Sequence, residues 1–352
     1  MSPPDVEEKQ VYVVAIPQTV LDQHPTAIEV INGILIENEN SVRAFMQTHS
    51  NGKFNLATET YLVEQPWPNM ISVINDLDDT VNWTTKKGII IVYDGSCDDQ
   101  DRGGGGHGVQ EFNSDDGLVH LGAVRVADCS IFNATEDRTR YVILHELSHS
   151  LITTGHANVV QSIAYDPFGD YRANPHKAKL VCSIPFNSND PEIRSFTPQR
   201  GCPVGEYGDP FDILGGAMTP YTTYSMPEKQ RAGFISETST NTLKLRKRGT
   251  YQATVYPHNA IDLEEYLVHV KIMKGRYGFY SIEYRTQLEP LFPANVSKIL
   301  IRYAFTEGGD NFLIAALSPG EIYNNPTDNF SVEFREVQGR NPMKAHLEIQ
   351  LR

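Results

Sequence analysis

The stretch YVILHELSHSLITTGHA, Tyr141–Ala157, is apolar at helical spacing and carries two histidines four residues apart, with a glutamate directly after the first. In an α-helix, positions i and i+4 lie on one face. His145 and His149 therefore bring both imidazoles within reach of a single metal ion. Glu146 is turned far enough round the helix to leave that ion free and to take a proton from a water beside it. H-E-x-x-H on a helix is the pattern of a zinc site with an adjacent general base. The competing reading is two core histidines sharing hydrogen bonds with a buried glutamate. Burying a carboxylate beside two imidazoles without a metal is costly, which weighs against it.

A catalytic zinc site needs a third protein ligand. His156 stands seven residues past His149 and directly after Gly155, where the helix is expected to break and the chain to turn back. The alternative is a downstream carboxylate from Asp166, Asp170 or Glu192. The remaining histidines, His107, His120 and His176 among them, read as surface or structural. The helix is expected over Arg138–Ile152, introduced by NATED with Asn133 or Thr135 as its cap.

Upstream, strand and helix patterns alternate. VYVVAIP (Val11–Pro17), Asn55–Val63 and GIIIVY (Gly88–Tyr93) read as strands. Ser41–His49 and Met70–Val81 read as helices, the first capped by Asn40 or Ser41. DGSCDDQDRGGGGHG (Asp94–Gly108) lacks apolar periodicity and reads as a solvated loop. Its G-x-G-x-x-G match is followed by no helix pattern, which argues against a dinucleotide cradle. LVHLGAVRV (Leu118–Val126) is a further strand, with Gly122 marking a bulge or an edge. After His156 the chain is irregular as far as Leu214, and a short helix is expected at Pro227–Ala232. From about Leu243 seven alternating runs recur (TYQATVY, YLVHVKI, YGFYSIEYR, KILIRYAF, NFLIAAL, FSVEFREV, AHLEIQL), the pattern of a β-sandwich or jelly roll.

The 352 residues carry 30 Lys+Arg against 44 Asp+Glu, a formal charge of −14, and are 40% hydrophobic. That composition supports a packed core and excludes wholesale disorder. Read as acidic with no basic run, the chain repels phosphate, so nucleic acid is not the expected partner. The longest apolar runs are strand-sized, so no membrane span is expected. The polar, acidic N-terminus MSPPDVEEKQ does not read as a signal peptide. Four cysteines (Cys97, Cys129, Cys182, Cys202) form no CxxC pair and permit two disulfides, with chain proximity favouring Cys182–Cys202. Sequons at Asn82, Asn133, Asn295 and Asn329 add to a lean towards an extracellular glycoprotein.

HELSHSLITTGHA (His145–Ala157) resembles the extended zinc signature of the metzincin endopeptidases, and the chain is most similar to their gametolysin and immune-inhibitor-A groups. NSVRAFMQTHSNGKFNL (Asn40–Leu56), YGDPFDILGG (Tyr207–Gly216) and SMPEKQRAGFI (Ser225–Ile235) also resemble segments of that family, as do YGFYSIEYRTQ and LSPGEIYNNP in the tail. The resemblance implies His145, His149 and His156 as zinc ligands and Glu146 as the base. It also implies an edge strand, LVHLGAVRV, that pairs with substrate through Leu121, Gly122 and Ala123. Leu214 takes the position of the methionine in the family's Met-turn, with Met218 as a substitute, and Phe234 stands for a tryptophan. The family's glycine position holds Ile152, and the third histidine comes one residue late.

The expected fold is α+β: a metzincin-like zinc peptidase domain over residues 9–242, with a twisted mixed sheet and a zinc-binding helix, then a C-terminal antiparallel β-sandwich over 243–352. The expected function is that of a secreted zinc metalloendopeptidase acting on extracellular proteins or glycoproteins, with one catalytic Zn2+. Calcium has no support, since Asp98–Asp101 reads as a solvated loop. Two alternatives stand beside this: a zinc protein with little or no activity whose β-sandwich binds glycan or protein, and a zinc hydrolase of non-peptide amides.

Overall fold

The computed structural model describes residues 9–95, 104–132, 136–152, 157–160, 204–205, 209, 212–214, 223–258, 265–274, 278–286, 297–306, 311–326, 328–339 and 343–352. The architecture is α+β, with several sheets and more strand than helix. Two compact units make up the chain, Met1–Thr153 and Thr154–Arg352. Their boundary lies upstream of the change to purely alternating patterns near residue 243. Among the described residues no helix is long and apolar enough to cross a membrane.

The first unit is built on a five-stranded sheet in the order β2-β1-β3-β5-β4. Strands β1 (Lys9–Pro17), β2 (Asn55–Val63), β3 (Gly88–Tyr93) and β5 (Gly117–Ala127) are parallel, and β4 (Gly104–Ser114) runs antiparallel along one edge. Parallel strands covered on both faces read as continuous apolar runs, and Val13–Ile16 of β1 and Ile89–Val92 of β3 are fully buried. The helices are α1 (Gln18–Gln23), α2 (Ala27–Asn32), α3 (Val42–His49), α4 (Met70–Leu77), α5 (Asp128–Phe132) and α6 (Glu136–Ile152), with a π-turn at Gly33–Glu37. Ser41 is the cap of α3, its hydroxyl accepting from the Ala44 amide at 3.2 Å. Val73, Ile74 and Leu77 of α4 pack with Trp83 against Val13, Ile89 and Leu121 of the sheet. Gly88 has no alternative residue: a Cβ there would stand 2.6 Å from both the Gly122 carbonyl and the Tyr12 ring.

Two expectations are corrected here. The helix from Met70 stops at Leu77, four residues short of Val81, where Asp78–Thr80 form a turn instead. The glycine-rich stretch is not all loop: Gly104–His107 form the first half of β4, hydrogen-bonded in register with Ala123–Val126 of β5. Glycines show no side-chain periodicity, so a strand held by backbone pairing alone leaves no pattern to read.

In the second unit a seven-stranded sheet, β7-β6-β13-β12-β11-β10-β8, faces a four-stranded sheet, β14-β15-β16-β9. The strands are β6 (Ala157–Val160), β7 (Val204–Gly205), β8 (Thr242–Leu245), β9 (Gly249–Val255), β10 (His269–Lys274), β11 (Gly278–Thr286), β12 (Ser297–Phe305), β13 (Asn311–Leu317), β14 (Ile322–Asn325), β15 (Phe330–Gln338) and β16 (Lys344–Leu351). All seven expected strand runs are present. The two sheets share one apolar core, in which Tyr280, Ile282, Tyr284 and Ile301 meet Val255, Val332, Phe334 and Leu347.

The alternate residues of β11 face the other way, and they are polar: Ser281, Glu283 and Arg285, all buried. Glu283 and Arg302 are both 0% exposed. The Glu283 carboxylate accepts from Arg302 Nη1, from Arg285 Nε at 3.0 Å and from the Met226 amide at 2.8 Å. Arg302 Nε also donates to Asp209 at 2.6 Å, and Arg285 Nη2 donates to the Tyr224 carbonyl at 3.0 Å. The short helix α7 (Met226–Arg231) and the residues just before it are thereby tied to β11 and β12. Burial by itself would raise the Glu283 pKa. The guanidinium groups of Arg285 and Arg302, with His258 behind them, outweigh that and hold it well below the usual carboxylate range. Lys229, buried beside Arg285, is pushed down to about 7.

Glu283→Gln leaves buried Arg285 without its carboxylate partner and Arg302 with Asp209 alone, and is expected to destabilise the chain by about 3–5 kcal/mol. The sign with pH follows from the lowered folded value. Wild-type stability carried by Glu283 is complete above its ordinary value of 4.5 and is lost as pH falls through the lower folded value. Urea unfolding of both chains between pH 7 and pH 3 checks this; a variant as stable as wild type at neutral pH would contradict it.

Candidate metal centre

Helix α6 packs against β4 and β5 of the first sheet. Thr139, Ile143, Leu144, Leu147 and Ser148 are buried along it, so the side of the helix that meets the sheet is filled with packed side chains. This packing sets the rotation of α6 about its axis, and with it the direction of the histidines. His145 is buried at 7% exposure, whereas Glu146 and His149 are half-buried.

The two imidazoles meet. His145 Nε2 and His149 Nε2 are 3.2 Å apart, with ring centroids 4.9 Å apart and planes at 79°. The Tyr141 ring lies one turn earlier, 5.9 Å from that of His145. One ligand atom from each of His145, Glu146 and His149 falls within a 4.8 Å cluster. The spacing can be tested against metal chemistry. Two nitrogens held about 2.0–2.1 Å from one ion at tetrahedral angles stand roughly 3.3–3.4 Å apart. The observed separation is close to that, so the pair fits a divalent ion; the donor set by itself does not distinguish zinc from neighbouring transition metals.

The other expected site residues fall in different places. His156 and Met218 lie outside the described residues, as do Asp166, Asp170, Glu192, Asp98–Asp101, Asn133 and the Cys182–Cys202 pair. Leu214 is fully buried in the second unit, on a turn where its amide donates to Asp212 at 3.0 Å. Ser225 N donates to both Asp212 (3.2 Å) and Glu228 (3.1 Å). Burial, and then the Glu228 carboxylate, push the Asp212 pKa well above its usual range. Leu121, Gly122 and Ala123 sit in the middle of β5, with partners on both sides. Gly122 pairs with Gly88 of β3, while Leu121 and Ala123 pair with Gln110 and His107 of β4. The irregularity expected at Gly122 is a shift in the facing strand, between His107 and Gln110. Among the described residues the parallel edge of the sheet is β2, and its antiparallel edge is β4. Its signal in the sequence is the Asp116–Gly117 pair, a hairpin turn between two strand-length segments, and Gly117 takes the positive φ (109°) such a turn needs. His120 is an exposed partner of Glu111 across that hairpin at 3.8 Å. Cys129 is disulfide-bonded.

Comparison with models of known protein families and with characterised proteins finds no match to this chain.

Purified protein is expected to carry about one divalent metal per chain, and His145→Ala or His149→Ala to lose most of it, since each removes half of the imidazole pair. Elemental analysis after dialysis reads this directly. Full retention of metal by His149→Ala would remove the site.

Proposed function

We propose that the chain is a zinc metalloendopeptidase of the metzincin type, similar to the gametolysin and immune-inhibitor-A groups, and that it acts on extracellular proteins or glycoproteins. The observation that carries the reading is the 3.2 Å approach of His145 and His149 with Glu146 beside them on one buried helix. A mixed sheet whose antiparallel strand β4 is an edge among the described residues supports it, because an extended peptide can add to such an edge. The finer fold belongs to the same proposal: a metzincin-like domain carrying α6, and a C-terminal β-sandwich. Secretion is also part of it, supported by the disulfide at Cys129, since such bonds persist in oxidising compartments.

His145 and His149 would hold the zinc, with His156 as the proposed third ligand. When bound, zinc supplies Lewis acidity, lowering the pKa of a water and polarising a carbonyl. The protein's own part falls to Glu146. Its carboxylate follows His145 in the chain and is half-buried, so it is reachable by a water at the cluster. It takes the proton as that water attacks the scissile carbonyl and delivers it to the departing amine. Packing of Leu144, Leu147 and Ser148 beneath holds the carboxylate's backbone still between the two steps.

Glu146→Gln keeps the shape and the metal and removes only the proton acceptor. The expected result is unchanged metal content with kcat lowered by about 10²–10⁴-fold on a casein or gelatin substrate. Equal activity of wild type and Glu146→Gln would refute the peptidase reading while leaving the metal site standing.

A further inference from the structure

At one end of the four-stranded sheet, cations gather that no described residue pairs with. The sequence Lys244–Leu245–Arg246–Lys247–Arg248 holds four basic residues in five, hidden within a chain of net charge −14. Residues 246–248 connect β8, the edge of the seven-stranded sheet, to β9, the edge of the four-stranded one. Arg246, Lys247 and Arg248 are all exposed. Register adds a fourth charge: Gly249 pairs with Leu351 of β16, and Arg248 and Arg352 are the chain neighbours of that pair. Arg352 is exposed as well, and its guanidinium reaches only the Gln350 side chain, at 3.3 Å.

Nearby carboxylates are already engaged. Glu237 binds Lys244 and Lys271, the latter at 2.6 Å, while Asp328 binds Lys274 and the Tyr280 hydroxyl. Among the described residues none makes an ion pair with Arg246, Lys247, Arg248 or Arg352. Four like charges on one corner repel one another, and an arrangement of this kind is relieved by a polyanion.

We infer that this corner, Arg246, Lys247, Arg248 and Arg352, is a docking surface for a sulfated polysaccharide. The surroundings select that class. Guanidinium forks match sulfate and carboxylate oxygens in bidentate fashion. None of the large apolar side chains exposed among the described residues lies in 243–252 or 344–352. The corner therefore offers no wedge for a bilayer and no anchor for an apolar peptide side chain. It also lacks an exposed aromatic platform for stacking single-stranded bases, because Tyr251 is half-buried with its hydroxyl on the Lys247 carbonyl at 2.7 Å. A long nucleic-acid duplex would meet the repulsion of the acidic remainder. A flexible sulfated chain needs only charge and hydrogen bonds at the corner itself. The surface is independent of the metal centre and holds whether or not the chain is a peptidase.

The test is salt-dependent binding of the full chain to immobilised heparin. Wild type is expected to be retained at about 50 mM salt and released as salt rises, whereas the R246A/K247A/R248A variant binds at least tenfold more weakly. Its log–log salt slope should be shallower by about 2–3, at roughly 0.7–0.9 for each lost contact. A charge-matched control, K9A/K53A/K87A, removes three exposed lysines elsewhere and should bind as wild type does. Failure of wild type to bind, or equal weakening of the two triple variants, would overturn the proposal. So would competition by duplex DNA or phosphatidylserine vesicles as effective as that of free heparin. The metal content and peptidase activity of R246A/K247A/R248A should match wild type, which separates this surface from the site on α6.

Discussion

Glu283 is a carboxylate with no exposed surface, and much of the second unit is arranged around neutralising it. β11 alternates strictly, with Tyr280, Ile282 and Tyr284 on one side and Ser281, Glu283 and Arg285 on the other. The first set joins the apolar core between the two sheets. The second would be an ordinary solvent face, but here it is covered, so each charge on it requires a partner in place. Arg285 and Arg302 supply the counter-charge. One further donor of each, Arg285 Nη2 and Arg302 Nε, reaches the Tyr224 carbonyl and Asp209, and the second oxygen of Glu283 accepts from the Met226 amide. A buried ion network of this kind adds little net stability over an apolar one, yet removing a single member is severe. Its effect is to specify position: Asp209 and the start of α7 are each tied to one place on β11 and β12.

The same logic, on a smaller scale, governs the candidate metal centre. The four-residue spacing of His145 and His149 puts the imidazoles on one side of α6 but does not decide what that side faces. Burial of Ile143, Leu144, Leu147 and Ser148 decides it. With those residues packed, the two rings are directed at each other and their nitrogens stand at a separation a metal can bridge. Site and core are therefore coupled through helix rotation. A repacking change at Leu144 or Leu147 would turn the imidazoles without touching them.

The mixed sheet shows where one residue type obscured a strand. β5 was legible because Val119, Leu121, Ala123 and Val124 are buried and branched or small. β4 was not, because Gly104–Gly106 carry no side chains to alternate. Its existence depends on hydrogen bonds to β5, which are long-range and invisible to periodicity. That omission shifted the expected edge of the sheet by one strand, from β5 to β4.

Local physics was enough for much of this protein. The apolar runs β1 and β3, the helix carrying H-E-x-x-H, and seven strands of the second half (β9–β13, β15 and β16) were readable because each is a short-range pattern of 2.0 or 3.6 residues; the four-residue strands β8 and β14 are too short to show one. The juxtaposition of His145, Glu146 and His149 was readable for the same reason: an i, i+4 pair on a helix is defined within one turn. Tertiary structure alone decided the partners of those elements. It paired Arg302 with both Glu283 and Asp209, set β4 at the sheet edge, joined β6 to β13 from far upstream, and set the start of β9 against the end of β16. Each is a contact between residues distant in the chain, and no local periodicity encodes which distant residue will neutralise a charge or extend a sheet.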